Sequence, residues 1–230
     1  KVDGAISAKG GSASGKGGQI DTSANTVKVA DSAKMDTSAA SGQVGTWTIA
    51  PKDFTIAATG GDITGSTLAS NLTSGNVSIL SSSGATAGSG NINVNDAVAW
   101  NANKLTLTAA KDININATMT PSGTSSLTLN TATANGGDSS VAGGNVNVGL
   151  TNTTFSGKVD FGARTGTGFL TINGNGYTVV GDATTLQSMS SSGYYALGST
   201  INASGTPLWN GMSGWSPIAS FSKVLNGLGN

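Results

Sequence analysis

Apolar residues along the chain fall into short alternating pairs: Val27/Val29, Trp47/Ile49, Phe54/Ile56, Val77/Ile79, Ile92/Val94, Leu105/Leu107, Ile113/Ile115, Leu127/Leu129, Val146/Val148, Val159/Phe161 and Leu170/Ile172, then Val179. A period of two puts these side chains on one face of a strand and leaves Thr, Asn, Ser or Lys on the other. Nearly every pair is bounded by Gly, Asn, Asp or Ser, as in GSGNINVND, AGGNVNVG and FLTINGNGYTVV. The pattern predicts an all-β chain with strands of about three to five residues.

Chain that turns this often fits a winding, self-stacking path better than long hairpins. Leu105, Leu127 and Val146 step by roughly the 20-odd residues of a β-solenoid circuit, enough for three short strands and their corners. Stacking like on like would gather Val, Ile and Leu into an inner column. Outward Thr and Asn, Asn114 and Asn116 among them, would form hydroxyl and amide ladders. About ten circuits at roughly 4.8 Å give a rod on the order of 50 Å long. The fold expected is a parallel β-helix over residues 1–181.

The pattern changes near Gly181. DATTLQSMSS, Asp182 to Ser191, offers an N-cap at Asp182 and apolar Leu186 and Met189 three apart, which predicts a short helix. Aromatics then gather at Tyr194, Tyr195, Trp209, Trp215 and Phe221, so residues 182–230 read as a helix-containing, aromatic-rich extension. The chain opens on Lys1 with no Met or apolar leader, and NGLGN supplies no obvious cap, so the sequence reads as a processed piece continuing past Asn230.

Composition narrows the chemistry. Only 10% of residues are charged and the net charge is +0, so there is no electrostatic footprint for nucleic acid or an anionic membrane. No run approaches the roughly 18 apolar residues of a membrane span. Every acidic residue is Asp, and Gly, Ser, Thr and Asn make up about half the chain, which favours strands and turns over helices. Cys and His are both absent, which removes thiolate chemistry, disulfides, the commonest general base and the commonest metal ligand.

KVADSAKMDTSAASGQVGTWTIAPKDFTIA, GGDITGSTLASNLTSGNVSILSSSG and GNINVNDAVAWNANKLTLTAAKDININATM closely resemble the repeat region of filamentous-haemagglutinin-like exoproteins, large bacterial adhesins of two-partner secretion. The resemblance covers most of the chain up to about Gly181. The tail is similar to the segment that leads into glycine-rich repeats with a G-L-G core, matched by Gly227-Leu228-Gly229. Lys223 stands where a Gly is usual and Asn230 where a His is common.

The resemblance implies a right-handed parallel β-helix, in keeping with the general hand of parallel crossovers. It also implies export as an unfolded chain through an outer-membrane two-partner-secretion transporter, a secreted or cell-surface location, and a role in adhesion, aggregation or biofilm. Host or bacterial surface glycans or proteins are the partners expected with that role, and the uncapped strand edges separately suggest self-association through open ends. It carries no catalytic motif, no metal site and no cofactor.

Polysaccharide hydrolases and lyases of similar shape need paired carboxylates or an acid beside a base, and Asp112 with Lys111 and Asp160 with Arg164 are the pairs on offer. Gly60-Gly61-Asp62 and Gly136-Gly137-Asp138 echo a Ca²⁺-binding repeat without completing it. Turn chemistry accounts for both, and the chain is read as a non-enzyme. Tyr194, Tyr195, Trp209 and Trp215 read first as the small core of an irregular region, and then as a sugar-stacking platform. Asn71, Asn76, Asn116, Asn152 and Asn202 head sequons that could carry glycans.

Overall fold

The computed structural model describes residues 1–81, 88–131, 144–218, 220–222 and 224–230. The alternating pairs become strands. In chain order these are β1 (Ala5–Ser7), β2 (Gln19–Asp21), β3 (Lys34–Asp36), β4 (Thr46–Ile49), β5 (Phe54–Ile56), β6 (Asn76–Leu80), β7 (Ile92–Val94), β8 (Val98–Trp100) and β9 (Lys104–Ala109). There follow β10 (Ile113–Ile115), β11 (Thr118–Pro121), β12 (Ser126–Thr131), β13 (Val146–Val148), β14 (Lys158–Val159), β15 (Gly166–Ile172), β16 (Asn175–Val180), β17 (Tyr194–Leu197) and β18 (Val224–Asn226). Helix α1 (Gly65–Leu72) follows β5 and helix α2 (Ala183–Gln187) follows β16.

The longest sheet has nine strands in the order β18-β17-β16-β15-β12-β9-β6-β4-β2. A second runs β13-β10-β7-β5 and a third β14-β11-β8, while β1 pairs with β3. Three successive passes of chain, β7-β8-β9, β10-β11-β12 and β13-β14-β15, each place one strand in the second, third and longest sheets in that order. All pairings between the named strands up to β15 are parallel and in register, with an isolated antiparallel bridge from Leu150 to Phe155 outside them, and like lies above like: Ile49, Ile79, Leu107, Leu129 and Ile172 form one inner column. The first four of these are fully buried. Each stabilises the fold by about 1.5–3 kcal/mol relative to exposure, which is why short strands suffice.

Several expectations are corrected. Val146 does not stack on Leu127; it pairs with Ile113, and Leu127 pairs with Leu170. The interval between stacked side chains is 38 residues from Thr55 to Asn93, 21 from Asn93 to Asn114 and 33 from Asn114 to Asn147, so excursions of different length break any fixed period. Six strands of the longest sheet precede β16, rather than the ten circuits expected.

The parallel pattern also ends sooner than expected. β15 and β16 are antiparallel, joined by a two-residue turn in which Asn173 and Gly174 both have positive φ, 49° and 77°. That is the type I′ chemistry Asn-Gly favours, and it outweighs the tendency to continue as another circuit. β17 and β18 then run parallel to β16. The longest sheet therefore runs straight across residue 181.

Helix α1 lies between the pairs Phe54/Ile56 and Val77/Ile79, inside the span expected to be a parallel β-helix, where no helix was expected. Thr64 caps it, its side chain accepting from the Thr67 N–H, and Leu68 and Leu72 are fully buried. A Cβ at Gly65 would collide with the Ala97 carbonyl oxygen, so only Gly lets the helix start so close to β8. α1 packs between β3 and β8, and Asn71 extends the ladder in place of a strand. Its Oδ1 accepts from the Met35 N–H at 2.6 Å and its Nδ2 donates to the Ala33 carbonyl at 3.1 Å, as a neighbouring peptide would. The helix expected after Gly181 is present as α2, with Asp182 and Thr185 forming a reciprocal capping box.

Candidate functional site

The sheets present two kinds of outward face. On the second sheet, Asn114 Nδ2 donates to Asn93 Oδ1 at 2.8 Å, and Asn147 Nδ2 donates to Asn114 Oδ1 at 2.9 Å. Beside them Asn116 Nδ2 donates to Asn95 Oδ1 at 2.8 Å. At the corner before these strands, Asp53 Oδ1 accepts from the Asn91 N–H, Asn91 Oδ1 from the Asp112 N–H and Asp112 Oδ1 from the Asn145 N–H. An amide carries a donor and an acceptor far enough from the backbone to bridge one strand spacing of about 4.8 Å. This face therefore spends much of its hydrogen-bonding capacity on itself.

The longest sheet carries hydroxyls instead. Thr48, Ser78, Thr106, Thr128 and Thr171 stack in one outward column through the strand registers. All five are half-buried. A Ser or Thr oxygen sits too close to its own backbone to reach a neighbour one strand spacing away, since an O–H···O bond needs about 2.8 Å. No hydrogen bond among the described residues engages any of these five hydroxyls. To one side lie Thr46, Asn76, Lys104 and Ser126, and to the other Leu80, Thr108 and Asn130.

The carboxylates are tied into the fold. Every aspartate among the described residues accepts a hydrogen bond from a nearby backbone N–H or hydroxyl, as Asp31 does from Thr64 and Thr67 and Asp96 from the Gly65 N–H. Asp160 pairs with Lys158 at 2.6 Å and not with Arg164, whose guanidinium lies 3.8 Å over the Phe169 ring while Nη2 donates to the Ser125 carbonyl. Asp112 serves the corner column and not Lys111. Asp62 Oδ2 accepts from the Thr55 N–H and its other oxygen pairs with Lys28, so Gly60-Gly61-Asp62 is a turn. Gly136-Gly137-Asp138 lies outside the described residues, as does Lys223. The hydrogen bond from Lys9 holds the Asp36 carboxyl at about 2, below the usual range. Among the described residues, no three carboxylates converge where they could hold a metal ion.

The four aromatic candidates do not form one cluster. Trp209 and Trp215 stack on each other with centroids 6.1 Å apart and planes 23° from parallel. Tyr194 packs against Tyr177 at 5.4 Å, and Tyr195 against Phe221 at 6.1 Å. Tyr194 joins the edge of the main core, whereas the half-exposed Trp pair stands apart from it beside Leu208 and Met212, which are 74% and 81% exposed. Met212 and Asn210 have positive φ, 70° and 53°, an uncommon backbone state for a residue as long as Met.

The sequons separate by burial. Asn71 is buried with both ends of its amide engaged in α1's contacts, so the folded chain leaves it no room for a glycan. Asn76 Oδ1 accepts from the Lys104 N–H and Asn116 belongs to the amide ladder. Asn152 and Asn202 are exposed, Asn202 accepting from the Ser204 N–H. Sequence reasoning foresaw both ladders and the bonding of a stacked Asn to its neighbour, which the amide bonds bear out; it did not separate the hydroxyl column, which makes no such bond among the described residues. Comparison of the chain with protein-family models, with curated proteins and with solved structures finds no match.

Proposed function

We propose that the chain is a right-handed parallel β-helical module of a secreted bacterial surface adhesin or biofilm exoprotein, working as a stiff stalk with binding capacity on its flanks. One observation carries the reading: successive passes of chain stack in register and expose a neutral array of hydroxyls and amides. Such a body is stiff because each inner strand is hydrogen-bonded on both sides, and it adheres through many weak contacts at once. The resemblance to filamentous-haemagglutinin-like exoproteins supports delivery through an outer-membrane transporter, and the absence of Cys suits passage as an unfolded thread. The module is not an enzyme in this reading, because its aspartates are occupied by structural hydrogen bonds.

The test is binding of the purified chain to whole cells and to a glycan panel, with product analysis for new reducing ends. Binding without turnover is the expected result; turnover of any polysaccharide overturns the non-enzymatic reading, and absence of binding reduces the module to a spacer. A second reading rests on the stacked, half-exposed Trp209 and Trp215 and makes the tail a recognition site. Trp209→Ala with Trp215→Ala then abolishes binding without unfolding, and unchanged binding rejects that reading.

A further inference from the structure

Five stacked hydroxyls with no partner among the described residues are a surface property that the strands do not need. An outward Val would serve a strand as well as Thr, because both are β-branched and suit the pleat. Four of the five positions are nevertheless Thr and the fifth is Ser. The column runs unbroken from β4 to β15 over four strand spacings, about 19 Å. At one end it meets Asp21 of β2. At the other, Thr171 is opposite Gly176, past which Tyr195 stands outward beside Thr178 on a surface that α2 partly covers.

We propose that this column is a linear track for an extended, uncharged polysaccharide lying along the stack of strands. The complement is chemical. Each Ser or Thr hydroxyl donates once and accepts twice, and a sugar chain offers hydroxyls of the same dual character repeatedly along its length. A polyanion would need a row of cations, whereas Lys104 is the only cation in the column and the two beside it, and Asp21 is the anion at its first strand. The five residues are half-buried, so part of each remains accessible along the sheet, with Asn76, Lys104 and Asn130 in the flanking columns. The assignment rests on the adhesive reading above and locates it on the longest sheet, away from Trp209 and Trp215.

The experiment is sedimentation of the 230-residue chain with insoluble cellulose, chitin and β-1,3-glucan, with pectate as the acidic comparison. Thr106→Val with Thr128→Val removes two hydroxyls and keeps the strand shape, and Thr106→Ser with Thr128→Ser keeps both hydroxyls. The expected result is binding to at least one neutral polymer, a loss of roughly tenfold or more in the Val pair, and retention in the Ser pair, all with unchanged thermal unfolding. Equal binding by the Val and Ser pairs overturns the assignment, as does loss of binding only when Trp209 and Trp215 are replaced. Preference for pectate also overturns it. Attachment to whole cells without binding to any neutral polymer rejects the track and leaves the adhesive reading standing, whereas attachment to neither rejects both.

Discussion

The strands from β4 to β15 and the chain after Asn173 draw on the same residue types and build differently. In the first region the direction is constant, and Ile79, Leu107 and Leu129 lie over one another at 0% exposure. In the second the direction has reversed, aromatic residues meet in separate pairs, and Val224 and Leu225 of β18 are 39% and 44% exposed. Stacking is thus a property of register and not of composition. A column forms only where each circuit returns to the same place with the same polarity, and a two-residue turn is enough to end it.

The largest effect that would sharpen this contrast is in the inner column. Leu107→Ala should lower the free energy of unfolding by about 2–5 kcal/mol, since it opens a cavity between Ile79 and Leu129. Leu225→Ala, at a half-exposed edge, should change it by less than about 0.5 kcal/mol. Denaturant titrations of the two variants measure both, and similar losses would erase the distinction between the regions.

Next is the reversal itself. Gly174→Val forces a β-branched residue into the left-handed region and should cost about 1–3 kcal/mol. Gly176→Val, where a Cβ meets nothing within 4 Å and φ is not positive, should be tolerated. If both variants melt together with the parent, the turn does not hold the hairpin.

The substitution of the strand ladder by α1 is tested by Asn71→Ala. It should cost about 1–3 kcal/mol by leaving the Met35 N–H and the Ala33 carbonyl without their partner. Asn152→Ala, at an exposed sequon, should leave stability unchanged. Amide exchange at Met35 reports the same event locally, and unaltered protection there would refute the role given to Asn71.

The smallest effect concerns pH. The Asp36 carboxyl is held at about 2 against an ordinary 3.8, chiefly by its hydrogen bond with Lys9. A depressed folded value means that the contribution is complete above about pH 4 and is lost as pH falls through about 2. Lys9 is exposed and Asp36 only half-buried, so solvent screens the pair and the amount is roughly a few tenths of a kcal/mol. Asp36→Asn should flatten that part of the acid unfolding curve, and a curve of unchanged slope would count against the pairing.

Period-two alternation was enough, on the sequence alone, to specify strands, their inner and outer faces and an all-β chain, because a strand's two faces are set by local geometry. Local chemistry also specified the Asp182 cap and outward positions for Asn114 and Asn116. Which strand lies on which was decided only in three dimensions: Val146 on Ile113, α1 between β3 and β8, and the reversal at Asn173-Gly174. These depend on where excursions of unequal length bring the chain back, and residues 20 to 40 apart leave no local mark of that. The outward surface divides in the same way. Asn and Thr were legible as outward residues, and so was the reach of a stacked Asn to its neighbour, but only the spacing of stacked strands decided that the shorter hydroxyls of the longest sheet's central column do not bond one another.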